Sequence, residues 1–273
     1  MSLAWWNGRL VPLAEVRIDP GDPGFLMGDG LFETLRVDGG RAMDVDAHLD
    51  RLLAGLERIG IPLPEDLSRA VESVAEAAPR PVARMRITIT RGKTRLITAA
   101  PYTPPSGRID VILLPEPWID SRSPLAGLKS LSYQANRLAL ARAERAGAFE
   151  ALLLNERGRL AEGSRTNVLV RLSGDLVTPP LADGCLPGIV RRRLLESGLV
   201  KERSVDAEEL RGAREILLTN SLIGVLPVGR IDGRALASSA GWCVPAAAPE
   251  RGDDGRPQKN QTDHSSDRKK KQQ

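Results

Sequence analysis

Paired apolar runs closed by glycine turns constrain this chain most strongly. "LAWWNGRLVP" turns at Asn7-Gly8, and "GLFETLRVDGGRAM" around Asp38-Gly39-Gly40. "EALLLNERGRLAEG" turns through Glu156-Arg157-Gly158, and "TNVLVRLSGDLVTP" through Ser173-Gly174. Glycine, asparagine and aspartate tolerate the positive φ that tight hairpins require. Short strands are therefore expected in both halves of the chain. "VARMRITITRG" adds a strand, with Met85, Ile87 and Ile89 on one face and Arg84, Arg86, Thr88 and Thr90 on the other. "RIDVILLPEP" reads as another, ending at its prolines, and "AREILLTNSLIGVLPVGRIDG" as strand, turn and strand.

Helical periodicity is interleaved with these runs. "DAHLDRLLAGLERIGI" places Leu49, Leu52, Leu53, Leu56 and Ile59 along one stripe, with Asp46 as N-cap and Gly60 as stop. "EDLSRAVESVAEAA" and "GIVRRRLLESG" are further helices, and another follows Lys129. "WIDSRSPLAG" (118–127) is irregular and reads as a linker, and no internal repeat is present.

Composition narrows the function classes. Aromatic residues make up 3% of the 273, so the core must be aliphatic. Residues 245–273 carry seven Lys/Arg and five Asp/Glu, leaving 32 basic and 30 acidic residues in the body. That charge is too balanced to argue for nucleic acid as the partner. The polar tail is expected to be disordered, because it cannot bury enough apolar surface to offset ordering. Its run Lys269–Lys271 reads as solvated. Two cysteines, Cys185 and Cys243, and two histidines, His48 and His264, form no set with metal-ligand spacing. A Cys–His or Ser–His pair would have to use His48, and nothing beside it supports one. "MSLAWWNGRLVPLAEV" lacks the apolar run of a signal peptide, and no stretch reaches membrane-span length. A soluble cytoplasmic protein is the expectation.

Four local features carry chemistry. In "GLKSLSYQANRLALARAERAG", Lys129 stands at a junction before the helical pattern, where the later cations are all arginine. It is a candidate amine nucleophile or a solvated amine. Glu162 in "LAEGSRTN" lies between Ala161 and Gly163, after an apolar strand and a hairpin. It is a candidate partner for a heterocyclic nitrogen, or an exposed strand-end acid. In "LPGIVRRRLLESG", Pro187 and Gly188 open a helix whose first free amides, Ile189 and Val190, make an anion site or an ordinary helix start. In "LTNSLIG", Thr219, Asn220 and Ser221 complete a phosphate cup or simply build a turn. An amine, a carboxylate and a phosphate cradle together form the set that pyridoxal phosphate needs.

The ordered series "GDGLFETLRV … HLDRL … ITRG … LKSLSY … LLLNERGRLAEGSRTNVLV … LPGIVR … LTNSLIGVLPV" resembles the fold-type IV, class IV aminotransferase family over roughly residues 3–236. That family includes branched-chain and D-amino acid aminotransferases and aminodeoxychorismate lyase. The resemblance implies an α+β fold with two domains: a small α/β domain (1–117), a linker (118–127) and a larger domain with a barrel-like sheet (128–240), before the tail (241–273). It implies that Lys129 forms the Schiff base, Glu162 pairs with the pyridine nitrogen, and Arg51 binds phosphate with Ile189, Val190 and Thr219. It places Tyr133 near the ring hydroxyl, Thr34 near substrate and Arg91 at a substrate carboxylate, and leaves His48 structural. A homodimer acting on a small molecule is also implied.

The transaminases resembling this chain usually carry an acid in the segment before "PV", whereas "TNSLIGVLPV" has none and looks more like the lyase. The expected reaction converts 4-amino-4-deoxychorismate to 4-aminobenzoate and pyruvate, a step toward folate. In it, Lys129 takes the proton from the amine-bearing carbon and the enolpyruvyl oxygen leaves as the ring becomes aromatic. The alternative is a D-amino acid or branched-chain aminotransferase. A non-catalytic protein that binds pyridoxal phosphate or nucleic acid is the more distant alternative.

Overall fold

The computed structural model describes residues 2–62 and 66–237. The expected tail at 241–273, with Lys269–Lys271, lies outside them.

The first sheet is antiparallel throughout. It contains β1 (Leu3–Trp6), β2 (Arg9–Pro12), β3 (Gly30–Asp38), β4 (Arg41–Ala42), β5 (Val82–Thr90) and β6 (Arg95–Pro101), in spatial order β2-β1-β6-β5-β3-β4. Its first turn has φ 47° at Asn7 and 94° at Gly8, both positive as the hairpin requires. The short α1 (Pro23–Met27) precedes β3.

The alternating side chains of β3 and β5 divide between two environments. Leu31, Leu35, Val37, Met85, Ile87 and Ile89 are buried in one aliphatic core. α2 (Val45–Arg58) and α3 (Leu67–Glu76) cover that face with Leu49, Leu52, Leu56, Val71 and Val74. The opposite face of the sheet carries Thr34, Arg84 and Arg86 and is the wall of a cavity.

α2 begins two residues earlier than the capping pattern implies. Asp44 is its N-cap, and Asp46 lies in the first turn, where its charge still favours the helix N-terminus. Asp44 is instead held by Arg193 at 3.1 Å. Gly60, at φ 66°, follows the helix end.

The second sheet contains β7 (Ile109–Ile119), β8 (Glu150–Asn155), β9 (Leu160–Gly163), β10 (Asn167–Leu172), β11 (Asp175–Thr178), β12 (Lys201–Glu202), β13 (Ile216–Asn220), β14 (Gly224–Ile231) and β15 (Arg234–Ala235). The path runs β12-β11-β10-β13-β14-β7-β8-β9, with β15 on β14. The turn from β9 into β10 is closed by the Gly163 N–H donating to the Thr166 carbonyl at 2.7 Å. α4 (Gln134–Arg145), α5 (Ile189–Glu196) and α6 (Ala207–Gly212) complete the fold. The architecture is the mixed α+β one expected, with two curled sheets.

Two expected boundaries need correction. β7 pairs in parallel with β14 and β8, so the strand assigned to residues 1–117 builds the second sheet. It also runs through Pro115 and Pro117 to Ile119, beyond the expected start of the linker at 118. The prolines are accommodated because β14 pairs β7 only along Ile109–Val111, and the β8 register shifts on both sides of Pro117.

Leu35 is fully buried between β5 and the helices. Leu35→Ala should cost about 3 kcal/mol through lost transfer energy and an unfilled cavity. A lower denaturant midpoint with an unchanged slope is the expected result.

Candidate active site

A cavity of about 880 Å³ lies between the two sheets. Lys129 reaches it from a backbone tied to β3: the Phe32 N–H donates to the Lys129 carbonyl, and the Leu131 N–H to the Gly30 carbonyl, each at 2.9 Å. α4 starts only at Gln134, so Lys129 lies in this bridge and outside the helix. Its Nζ sits 4.6 Å from the centre of the Phe32 ring. Burial lowers its pKa to about 8; Arg51 and Arg86 push the same way, against Glu33 and Glu162. The amine is therefore far closer to its neutral, nucleophilic form at physiological pH than an ordinary lysine.

Glu162 lies on β9, half-buried, and lines the same cavity. Its Oε2 accepts the Leu186 N–H at 2.8 Å. Burial raises its pKa to about 7, against the pull of that hydrogen bond and of Lys129. A protonated ring nitrogen is the partner that would restore its charge.

An anion cup forms around α5. The first amides of that helix, Ile189 and Val190, line the cavity above the Gly188 N-cap. Gly188 is needed for space, since a Cβ there would lie 1.8 Å from Asn167 Oδ1. Asn167 itself donates to the Leu186 carbonyl at 2.9 Å. Thr219 lies opposite on β13, and its buried Oγ1 has no hydrogen-bond partner among the described residues. A buried hydroxyl is costly to leave unpaired, so this one marks a ligand position. Ser221 also lines the cavity. Asn220 builds the turn, accepting from Leu222 and Ile223 N–H at 2.9 and 3.1 Å.

Arg51 reaches this cup from α2. Its Nε and Nη2 donate to the two oxygens of Glu33, both at 2.8 Å, and its Nη1 donates to the Pro187 carbonyl at 2.8 Å. Two of its five N–H groups remain for an anion. Glu33 also accepts from His48 Nδ1 at 2.7 Å. Burial alone would raise the Glu33 pKa, but Arg51 and His48 outweigh it and hold the carboxyl at about 2. Burial keeps His48 neutral. Its place beside the ion pair is thus supporting, as its motif position implied.

Sequence reasoning missed Glu33, although a signal was present. It shares the inward register of Leu31, Leu35 and Val37, where an acid must have a partner. Arg86 was also missed. It stands beside Thr34 in register, and its guanidinium lies 3.8 Å from the centre of the Phe32 ring that Lys129 also faces. Tyr133 packs edge-to-face on Phe32 at 5.4 Å, and its hydroxyl donates to the Ser164 carbonyl at 2.7 Å. Thr34, Tyr133 and Arg51 all line the cavity.

Arg91 does not line it, and the expectation that it binds substrate is corrected. Its guanidinium is used by Asp29 at 2.6 Å and by the Ile59 and Gly60 carbonyls at 2.8 and 3.2 Å. A cation there satisfies the C-terminal end of α2. Among the described residues, no group of three His, Cys, Asp or Glu side chains could hold a metal ion. Nor is any described helix long and apolar enough to cross a membrane.

A half-buried lysine of lowered pKa, a carboxylate awaiting a cation and an unpaired hydroxyl beside a helix N-terminus define a pyridoxal phosphate enzyme. The sequence profile described as amino-transferase class IV matches residues 30–231, and the chain belongs to that family. It is 30% identical over 262 residues to a D-alanine aminotransferase of Bacillus licheniformis, covering 86% of this chain and 90% of that one. It is also 30% identical over 269 residues to a bifunctional aminodeoxychorismate lyase / D-amino acid transaminase of Mycobacterium tuberculosis, covering 84% and 91%. The branched-chain aminotransferase structure from Thermoproteus uzoniensis superposes with a TM-score of 0.80 at 27% identity, covering 87% and 90%.

Two outcomes test this geometry. In cofactor-free protein, aldehyde probes should label Lys129 increasingly as pH rises through about 8, where the amine sheds its proton. Mass mapping across that range gives the midpoint. Glu33 has a depressed pKa, so the stability it contributes is complete above about 4.5 and lost as pH falls toward about 2. Glu33→Gln should flatten that part of the stability–pH curve and weaken cofactor binding about tenfold, read by absorbance titration.

Proposed function

We propose that the enzyme is an aminodeoxychorismate lyase, releasing 4-aminobenzoate and pyruvate from 4-amino-4-deoxychorismate. The observation that carries this reading is the cationic wall facing Lys129. Arg86, paired in register with Thr34, shares the Phe32 ring with the lysine amine. Arg84 lines the same wall and Arg165 lines the cavity from the second sheet. Burial and Arg84 both disfavour the charge on Arg86, and a carboxylate in the cavity offsets both. The proposed substrate carries two carboxylates, neither on the amine-bearing carbon, which suits cations beyond the phosphate cup. The bifunctional relative supports the same reading by its name.

In this reading Arg51, the Ile189 and Val190 amides and Thr219 hold the cofactor phosphate, and Glu162 holds the proton on its ring nitrogen. When bound, pyridoxal phosphate supplies an aldehyde for the substrate amine and a ring that draws electrons from the adjoining carbon. Lys129 would hold the cofactor through Nζ, and the same amine would take the proton from the amine-bearing carbon. Arg86 orients a carboxylate, and Thr34 lies next to the reacting substituent. The two sheets, the second including β7, form the two domains around this cleft. The reaction is assigned to the cytoplasm.

A second reading, transfer of an amino group from a D-amino acid or branched-chain amino acid, is favoured by the D-alanine aminotransferase relative. A homodimer is part of either reading. Phe25, Leu26 and Met27 stand 68, 61 and 69% exposed side by side on α1, an apolar surface suited to a second copy.

Purified enzyme given 4-amino-4-deoxychorismate without any keto acid should form 4-aminobenzoate and pyruvate in equal amounts. Amino-group transfer with no aminobenzoate would reject the lyase. Arg86→Ala should raise KM about tenfold for that substrate, the worth of one charged hydrogen bond. Lys129→Ala should abolish turnover and the visible absorbance of bound cofactor while leaving the thermal midpoint of the cofactor-free protein nearly unchanged.

A further inference from the structure

Glu150 is a fully buried carboxylate at the start of β8 that the chemistry above does not use. It lies beneath the turn joining β9 to β10. Its Oε1 accepts from the Ala151 and Ser164 N–H groups, both at 3.0 Å, and from the Ser164 hydroxyl. Its Oε2 accepts from the Arg165 N–H at 3.3 Å and the Thr166 hydroxyl at 3.2 Å, with Arg165 Nε at 3.7 Å. The turn closes so tightly on it that a Cβ at Gly163 would lie 2.3 Å from Thr166 Oγ1 and 3.1 Å from Glu150 Cγ.

The other side of the turn faces the cavity. The Ser164 carbonyl accepts the Tyr133 hydroxyl at 2.7 Å and Asn136 Nδ2 at 3.0 Å. Glu150 therefore holds the N–H groups of both peptides that flank the Ser164 Cα, Ser164's own and that of Arg165, and the Ser164 carbonyl, which shares its peptide with the Arg165 N–H, fixes the tyrosine proton. We propose that Glu150 is a positioning residue: acting through Ser164, it turns the Tyr133 hydroxyl so that its proton points away from the cavity and its lone pairs face in. Tyr133 then enters the site as a hydrogen-bond acceptor. Burial holds its phenol proton on, since its pKa is raised, with Glu162 and Glu150 adding to the effect. The inference rests on the cofactor assignment and is independent of the choice between lyase and transaminase.

Glu150→Gln probes this locally. Its carbonyl oxygen can serve the donors that Oε1 serves, but its NH2 then confronts the Arg165 N–H, donor against donor. With Tyr133 intact, kcat should fall about tenfold with KM within twofold, and the visible absorbance of the bound cofactor should shift. In a Tyr133→Phe background, adding Glu150→Gln should change kcat less than twofold and leave the spectrum where Tyr133→Phe put it. Losses that multiply in the two backgrounds would overturn the proposal, because a merely structural carboxylate acts on both alike. If Tyr133→Phe alone changed neither spectrum nor turnover, the placing of Tyr133 in the site would fail instead, and the proposal with it. Asn136→Ala, which leaves Glu150 in place, keeps the test open if Glu150→Gln does not fold. It removes the second donor on the Ser164 carbonyl and should lower kcat about threefold, again only when Tyr133 is present; a loss of the same size in Tyr133→Phe would overturn the proposal.

Discussion

A negative charge inside a leucine-rich core is the constraint on which the rest of this structure depends. Glu33 occupies a core-facing position of β3, and only Arg51 and His48 make that tolerable. The pairing has consequences in both directions. It fixes Arg51 in one orientation, and the third donor of Arg51 then reaches the Pro187 carbonyl at the mouth of α5. One buried acid thus aligns a strand of the first sheet, a helix and the anion-binding helix of the second half.

The second sheet answers with its own buried acid. Glu150 organises the turn after Glu162, and Glu162 in turn accepts the amide of Leu186, next to Pro187. Two carboxylates in apolar surroundings therefore shape the two walls, while the acid facing the cavity itself is left without a full charge partner. Facing the cavity are Glu162 and Lys129, with pKa values shifted toward neutrality, and the Thr219 hydroxyl, which has no partner among the described residues.

Much of this was legible from local rules. Hairpins at Asn7-Gly8 and Ser173-Gly174 followed from the φ that glycine permits, and the apolar stripe of α2 from its spacing. Lys129 and Glu162 were legible because a short run of residue types surrounded each. What was not legible depended on contacts distant in the chain. β7 reads as the end of the first half, and its membership in the second sheet comes from β8 and β14, strands formed more than thirty residues later. Arg91 and Arg86 look alike in sequence. Arg91 faces a helix end and Arg86 a cavity, a difference set by where the end of α2 lies beside the residues after β5. Glu33 was readable in principle from its register, but a pattern of leucines draws attention to what it repeats and away from the single residue that breaks it.

The anion cup draws on both halves of the molecule: Arg51 from α2, the amides of α5 and Thr219 from β13. A ligand seated there acts as a clasp across the seam. Its binding free energy is shared between holding cofactor and holding the halves in register, so occupancy and cohesion rise together, by about 2.7 kcal/mol at a hundredfold excess over Kd. Cofactor supply would then set the lifetime of the polypeptide as well as its turnover, and chains starved of the vitamin would be the first that proteases reach.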